Sequence, residues 1–377
     1  MYTDKGEQRV SRLLCAFSIG GVALWLSDTF LKVGLPMPLP HKLFVSATCL
    51  LLLLACDGGA STTDPDGGAD GDANGLQADA GLIVDGGIAT TSADGGLVFS
   101  VREFEDNNSW QPEGDLIERA ISGFEPVDEG TFPVFVWVEG TGVHYWNYNG
   151  AVFTEEMAKR GFVAVSVAYD NVQYTIDCNQ LDQKTKGVFD SRDDGSALHA
   201  VCEREKADCD KGIVVAGWSQ GAHLAVRAKD FNPLVKAVLP FGNGISAYPG
   251  HDLTACLGIT NTAIEGSKIR SLVGAADEFF GCNPDGTGCQ RPGIREQQEE
   301  TTGHQCEEDA FSCINDDGSG WYIVQNHETT WGADNHGFWL SFATGDFDPA
   351  FLAGDAWWSL NSSLDWLAQH ADGPSLR

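Results

Sequence analysis

The stretch that most constrains this chain runs from Gly212 to Phe231, GIVVAGWSQGAHLAVRAKDF. It opens with an apolar run, Ile213-Val214-Val215-Ala216, bounded by glycines. A short run rich in β-branched residues reads as a buried strand. Gly217-Trp218-Ser219-Gln220-Gly221 follows at once, and behind it Ala222, Leu224, Ala225, Ala228 and Phe231 recur at helical spacing. The stretch is therefore strand, sharp turn and helix, with a serine at the apex. Small residues beside the apex let a strained turn form and let the strand and helix backbones approach closely. The helix N-terminus supplies free N–H groups and partial positive charge where an oxyanion would form. The chain holds 45 glycines in 377 residues, so a bare G-x-S-x-G is a weak signal. The strand before it and the helix after it are what mark Ser219 as a nucleophile.

A serine nucleophile needs a base, and the base needs an orienting carboxylate. The rest of the chain supplies both in order. Leu97 to Phe104, Ile121 to Pro126, Phe132 to Val138 and Phe162 to Tyr169 read as strands ahead of the nucleophile, with a helix over Phe153 to Arg160. Asp190 to Glu205 reads as helical and leads into the nucleophile strand. Beyond it, Val235 to Phe241, Ile269 to Gly274 and Trp321 to Gln325 read as strands, with a last helix within Leu352 to Leu367. Asp277 lies three residues past one strand, and His336 lies in the loop after the last. Asp277 is preferred to Glu278 for its offset from the strand, and His336 in Asn335-His336-Gly337-Phe338 is preferred to His327. His223 on the nucleophile helix reads as a packed or solvent-facing residue, and His304 has no clear role. Strands alternating with helices predict an α/β class with a mostly parallel sheet covered on both faces.

The strand ending at Val138 runs into Glu139-Gly140-Thr141-Gly142, a glycine-rich corner. The backbone N–H of Thr141 there and that of Gln220 are the expected oxyanion donors. Tyr145 and Trp146 follow the corner, and with Trp218 they are candidates for lining a substrate cleft; packing of the loop onto the domain is the competing reading.

The pieces PVFVWVEGTG, AKRGFVAVSVAYD, IVVAGWSQGAHLA, LVGAADEFF and NHGFWL resemble the α/β-hydrolase superfamily, and within it the secreted dienelactone-hydrolase-like and polyester-hydrolase-like esterases near cutinases and chlorophyllases. They span Phe132 to Leu340. The resemblance implies an α/β-hydrolase fold and ester hydrolysis by the triad Ser219, Asp277 and His336, with no cofactor and no metal. Two departures stand out. Glu139-Gly140 occupies the corner where that group usually has His-Gly, and residues 279–320 form a cysteine-rich insertion before the last strand. A carboxylate at the oxyanion corner is the feature that motivates a catalytically silent binding lipoprotein as an alternative; a serine peptidase on the same fold is the other.

Eight cysteines fall in this part: Cys178, Cys202, Cys209, Cys256, Cys282, Cys289, Cys306 and Cys313. An even number in this arrangement fits an oxidising compartment. Cys202/Cys209, Cys282/Cys289 and Cys306/Cys313 share one spacing, which suggests local bridges and leaves Cys178 with Cys256. With no C-x-x-C pair, a zinc site is disfavoured.

The N-terminal third reads differently. Met37-Pro-Leu-Pro-His41-Lys42, the apolar run Leu43 to Ala55 and then Cys56 describe a secretory signal, and Leu53-Leu54-Ala55-Cys56 resembles the lipobox of bacterial lipoproteins, with Cys56 lipidated. Residues 1–56 are thus expected to be a leader, with translation starting at Met37. The apolar run Leu13 to Leu26 is short for a membrane span. Residues 57–96 carry eight Asp, eleven Gly, no Lys or Arg and no aromatic residue, and read as a flexible tether. Asp70-x-Asp72-x-Asn74-Gly75 matches half of a Ca²⁺ loop, but Gly81 stands where a bidentate Glu is needed, so a linker is the expectation. Residues 97–377 are the expected catalytic domain. The net charge of −31 argues against nucleic acid or an anionic membrane as partner, leaving a small or polymeric ester substrate and a membrane reached only through the lipid.

Overall fold

Val134–Val138 and Ile213–Trp218 are short, apolar and buried at every position, as strands are when helices cover both faces of their sheet. In the computed structural model these two strands lie side by side at the centre of the domain, with Val134 opposite Ile213 and Val138 opposite Gly217. The structure describes residues 99–110, 117–175, 177–190, 192–247, 251–281, 293–341 and 344–372, with four residue pairs upstream.

In chain order the main strands are β1 (Val101–Trp110), β2 (Ile117–Pro126), β3 (Val134–Val138), β4 (Val163–Val167), β5 (Ile213–Trp218), β6 (Val235–Phe241), β7 (Arg270–Gly274), β8 (Ser312–Ile314) and β9 (Gly320–Val324). The helices that concern the site are α1 (Tyr148–Ala158), α2 (Cys178–Phe189), α3 (Ala197–Cys202), α4 (Gln220–Phe231), α5 (Ile294–Thr302), α6 (Pro349–Ala353) and α7 (Leu360–Ala368). Across the sheet the order is β8-β9-β7-β6-β5-β3-β4-β2-β1. The run from β4 to β9 is parallel, while β2 and β1 on one side and β8 on the other are antiparallel. Two further short strands, Ile83–Val84 and Gly87–Ile88, extend the β1 edge through Ile88 opposite Val101.

From β3 the chain steps outward to β4, then returns across the sheet to β5 and on to β6. Crossovers between parallel strands are right-handed, so this reversal puts α1 on one face and α2, α3 and α4 on the other. α7 joins α1, and Arg160 just past α1 pairs with Asp365 on α7 at 2.8 Å. This is the α/β-hydrolase arrangement, carrying its insertion between β7 and β9. The reversal leaves a crevice at the C-terminal ends of β3 and β5, which is where ligands bind in open α/β sheets.

Several sequence expectations are adjusted. Asp190 to Glu205 is helical only over Ala197–Cys202, and the longer helix there is α2, capped by the Asp177 side chain on the Gln180 N–H. Besides Gly187, its buried residues are Leu181, Thr185, Val188 and Phe189, four, three and one apart, a stripe thinned by a threonine in the apolar face. The last helix is two, α6 and α7, parted at Gly354. α5 sits inside the insertion and buries Gln297, Gln298, Thr301 and Thr302, a polar face that no apolar periodicity announces.

Three of the four expected bridges are present: Cys178–Cys256, Cys202–Cys209 and Cys306–Cys313, with Cα separations of 5.7, 5.7 and 5.8 Å. Cys282 and Cys289 lie outside the described residues. So do Cys56, Met37, the Asp70–Gly75 run, and all of residues 1–98 except Ser18–Ile19, Val22–Ala23, Ile83–Val84 and Gly87–Ile88. Residues 1–76 form a unit separate from 77–377, and in it Ser18–Ile19 pairs antiparallel with Val22–Ala23. Among the described residues no helix is long and apolar enough to cross a membrane.

Candidate active site

Ser219 has φ 57° and ψ −120°, and among the described residues it alone of the non-glycines has positive φ. Such a conformation is strained for a residue with a Cβ and persists only where the surroundings impose it. The surroundings here are backbone. A Cβ on Gly217 would lie 2.4 Å from the Gly221 carbonyl oxygen, and one on Gly221 would lie 2.1 Å from that of Val138. Only glycine lets β5, α4 and the end of β3 converge so tightly. The Ser219 N–H donates to the Phe241 carbonyl at 2.9 Å, which ties the apex to the end of β6. The Ser219 side chain does not cap α4.

The loops that carry Asp277 and His336 come together at the ends of β7 and β9. A Cβ on Gly274 would sit 2.2 Å from the Asp334 carbonyl oxygen, so glycine is what allows the loop carrying His336 to lie across the end of β7. The Ala276 N–H donates to the same carbonyl at 2.7 Å. Asp277 is fully buried, and its Oδ1 accepts the N–H groups of Phe279 and Phe280 at 2.9 and 3.1 Å. Its Oδ2 lies 2.7 Å from Nδ1 of His336. His336 is 4% exposed; the Trp218 indole N–H donates to its carbonyl at 3.1 Å, and its own N–H donates to Glu278 at 3.2 Å. Gly242, with φ +54°, brings the chain against one side of the imidazole, where a Cβ would approach Nδ1 to 3.0 Å. The ring is thus set by a carboxylate, two backbone anchors and a glycine wall. His327 is exposed in the turn Asn326–Glu328, and Glu278 meets only the His336 backbone, so Asp277 and His336 are the pair brought together.

A cavity of about 550 Å³ opens on this pair, lined in part by Gly140, Thr141, Trp218, Ser219 and His336. Ser219 and His336 both line it. Thr141 lines the cavity and Gln220 opens α4 directly after Ser219, and the Gln220 side chain makes contacts that the sequence did not signal. Its Nε2 donates to Thr141 Oγ1 at 2.9 Å, while its Oε1 accepts from Thr175 at 2.5 Å and Lys184 at 2.7 Å. The corner is pinned further by Asn171, whose Nδ2 donates to the carbonyls of Gly140 and Val143 at 2.8 and 2.7 Å. Among the described residues, the backbone N–H groups of Thr141 and Gln220 have no protein acceptor.

Two candidates for the substrate cleft fall elsewhere. Trp146 packs against Phe124 at 5.9 Å, and Tyr145 lies tilted against His144 and accepts the Ser166 hydroxyl at its carbonyl. Neither lines the cavity; both fasten the loop to the sheet, because Ser166 and Phe124 present the anchoring surface there. Trp218 does line it. The cavity is completed by Tyr174, His251, Glu278, Phe279 and Phe280. The last three adjoin Asp277 and were within reach of the sequence; Tyr174 and His251 come from distant loops that no motif marks.

Glu139 lies beneath the corner and not in the cavity lining. Its side chain is fully buried and neither carboxylate oxygen has a hydrogen-bond partner, although Trp137 Nε1 and the N–H groups of Gly140 and Gly150 face it. Burial pushes its pKa up to about 8, so the group is mostly neutral at pH 7. Its backbone carbonyl accepts the Tyr169 hydroxyl at 2.7 Å. A raised folded-state pKa makes the contribution to stability largest below the ordinary value of 4.5 and removes it as pH rises through about 8. At about 1.4 kcal/mol per unit, the loss is roughly 4–5 kcal/mol. Glu139→Gln, neutral at every pH, is expected to melt increasingly above the wild type between pH 5 and 8.5, by on the order of 10 °C at the alkaline end. A melting difference that stays flat across this range, followed by circular dichroism, contradicts the neutral buried state.

No family profile matches this chain, and no curated protein sequence matches it. Among solved structures, brefeldin A esterase, a bacterial homologue of human hormone-sensitive lipase, is similar over 37% of this chain and 40% of its own, with 19% identity and a TM-score of 0.29. A hypothetical protein from Pseudomonas aeruginosa is similar over 44% of this chain and 48% of its own, with 16% identity and a TM-score of 0.29. The chain thus spans less than half the length of either.

Proposed function

We propose that this chain is a serine ester hydrolase acting through an acyl-enzyme on Ser219. The observation that carries the reading is the buried Asp277–His336 pair, 2.7 Å apart, opening on the same cavity as a serine held at positive φ. Ser219 Oγ attacks the ester carbonyl carbon while His336 Nε2 takes the hydroxyl proton. Asp277 holds the imidazole through Nδ1 and stabilises its charged form. The oxyanion of the tetrahedral intermediate accepts from the N–H groups of Thr141 and Gln220. Collapse breaks the ester C–O bond, and the leaving alkoxide takes its proton from His336. Water then repeats the sequence on the acyl-serine and releases the acid. The cycle calls on no cofactor or metal.

The neutral, buried state of Glu139 supports catalysis over a silent binding role, since an uncharged carboxyl outside the cavity does not oppose the oxyanion. The finer reading is a carboxylesterase of the cutinase-like and dienelactone-hydrolase-like branch, exported and tethered through a lipid on Cys56; the three bridges are consistent with an oxidising compartment. A fluorophosphonate probe should label Ser219 stoichiometrically, located by peptide mass mapping, and p-nitrophenyl esters should turn over faster than the matching anilides. Absence of both labelling and ester turnover in folded protein rejects the assignment. Faster anilide cleavage moves it to the peptidases.

A further inference from the structure

One wall of the cavity is built from Tyr174 and His251, which stack with ring centroids 4.9 Å apart and planes 19° from parallel. They come from separate loops, one before α2 and one in the short hairpin after β6. Each holds a buried polar atom without a partner: Tyr174 Oη and His251 Nδ1. Behind the stack, His223 is fully buried with its ring 6.2 Å from Tyr174 and 5.6 Å from Phe280. Neither of its nitrogens closes a hydrogen bond, although the Gly244 carbonyl faces the ring. Buried polar groups are normally paired, and an unpaired cluster beside a reactive serine asks for an outside partner.

The chemistry of that partner follows from the groups present. Burial and the Asp277 charge raise the Tyr174 pKa, and burial pushes His223 down to about 4, so both are neutral at pH 7. A neutral phenol offers a hydrogen to an acceptor. An anion is disfavoured by Asp277 and by Glu278 on the cavity lining. A plain alkyl group would leave these polar atoms unpaired and desolvated.

We propose that Tyr174 and His251 form a polar subsite for esters bearing a second neutral acceptor oxygen, such as a further ester carbonyl or a hydroxyl, near the scissile bond. The proposal rests on the hydrolase reading above and names a substrate class within it. Tyr174 donates to the second oxygen, and the His251 imidazole completes the polar wall.

The test uses two isosteric pairs, one for each side of the ester. On the acyl side, the p-nitrophenyl ester of monomethyl succinate is compared with p-nitrophenyl hexanoate. On the alcohol side, 2-hydroxyethyl butyrate is compared with propyl butyrate. In the wild type, kcat/KM for the oxygenated member of at least one pair should exceed its partner by about tenfold or more, since a site built to pair a polar group rejects the analogue lacking it. Tyr174→Phe keeps the stack and should reduce that preference, read as the ratio of kcat/KM within each pair, to about twofold. His251→Phe, which also keeps an aromatic ring on Tyr174, should weaken the preference in the same direction. No preference in either pair, or one that survives both substitutions, overturns the subsite and leaves the hydrolase reading standing. Loss of turnover of every ester by folded wild-type protein removes both.

Discussion

Ser219→Ala should abolish ester turnover, lowering kcat/KM by roughly 10⁴-fold or more. The serine hydroxyl stands at the apex of a turn whose shape is imposed by backbone on three sides, and the substitution removes the oxygen without altering that shape. Alanine has the same Cβ and meets the same steric demand at φ 57°. The variant should therefore melt within a degree or two of the wild type and should no longer take up a fluorophosphonate. Separating the two readouts matters. A variant that unfolds says nothing about chemistry, whereas a folded variant with wild-type turnover removes Ser219 from the reaction and the hydrolase class with it.

Comparable loss is expected for His336→Ala, because the members of a nucleophile–base pair act as a unit. Asp277→Ala should cost less in rate, roughly 10²–10⁴-fold, leaving a base present but poorly oriented. It should also cost stability, since Oδ1 of Asp277 closes the turn through the N–H groups of Phe279 and Phe280 and those groups would be left unpaired. The control is His327→Ala: that ring is exposed, and turnover should stay within about twofold of wild type. Inactive His327→Ala beside active His336→Ala would reassign the base while keeping the serine.

These two expectations concern the part of the molecule that was most legible. The strand–turn–helix around Ser219 is encoded within twenty residues, by an apolar run, glycines at the points of closest backbone approach and a helical apolar stripe. Asp277 and His336 were accessible because each follows a strand with its own apolar signature, and because strand ends in a parallel sheet converge on one edge. Seven of the strand readings fall within a few residues of those observed, and Val235–Phe241 coincides. Bridges of equal short spacing were legible for the same local reason, and the Cys178–Cys256 pairing by elimination agrees with the structure.

What escaped the sequence has a common physical origin. α5 buries Gln297, Gln298, Thr301 and Thr302, and it does so because their partners lie on other elements. Gln297 Nε2 donates to the Phe280 carbonyl at 2.6 Å, Gln298 Nε2 to the Asn243 carbonyl at 2.6 Å, and the Ser271 hydroxyl to Gln298 Oε1 at 2.5 Å. A periodicity of apolar residues cannot announce a helix whose buried face is polar and satisfied from elsewhere. Through these bonds the insertion braces the loop that holds Asp277. Tyr145 and Trp146 looked like cleft residues because they follow the oxyanion corner in sequence, yet Phe124 and Ser166 of neighbouring strands draw them onto the sheet. Tyr174 and His251, seventy-seven positions apart, reach the cavity because two loops meet there. Local sequence decided the strands, the strained turn and the order of Ser219, Asp277 and His336 after their strands, since these depend on backbone sterics and apolar spacing over short windows. Only the tertiary structure decided which side chains line the cavity and which carboxyl is neutral, because burial and hydrogen-bond partners are properties of residues brought together from far along the chain.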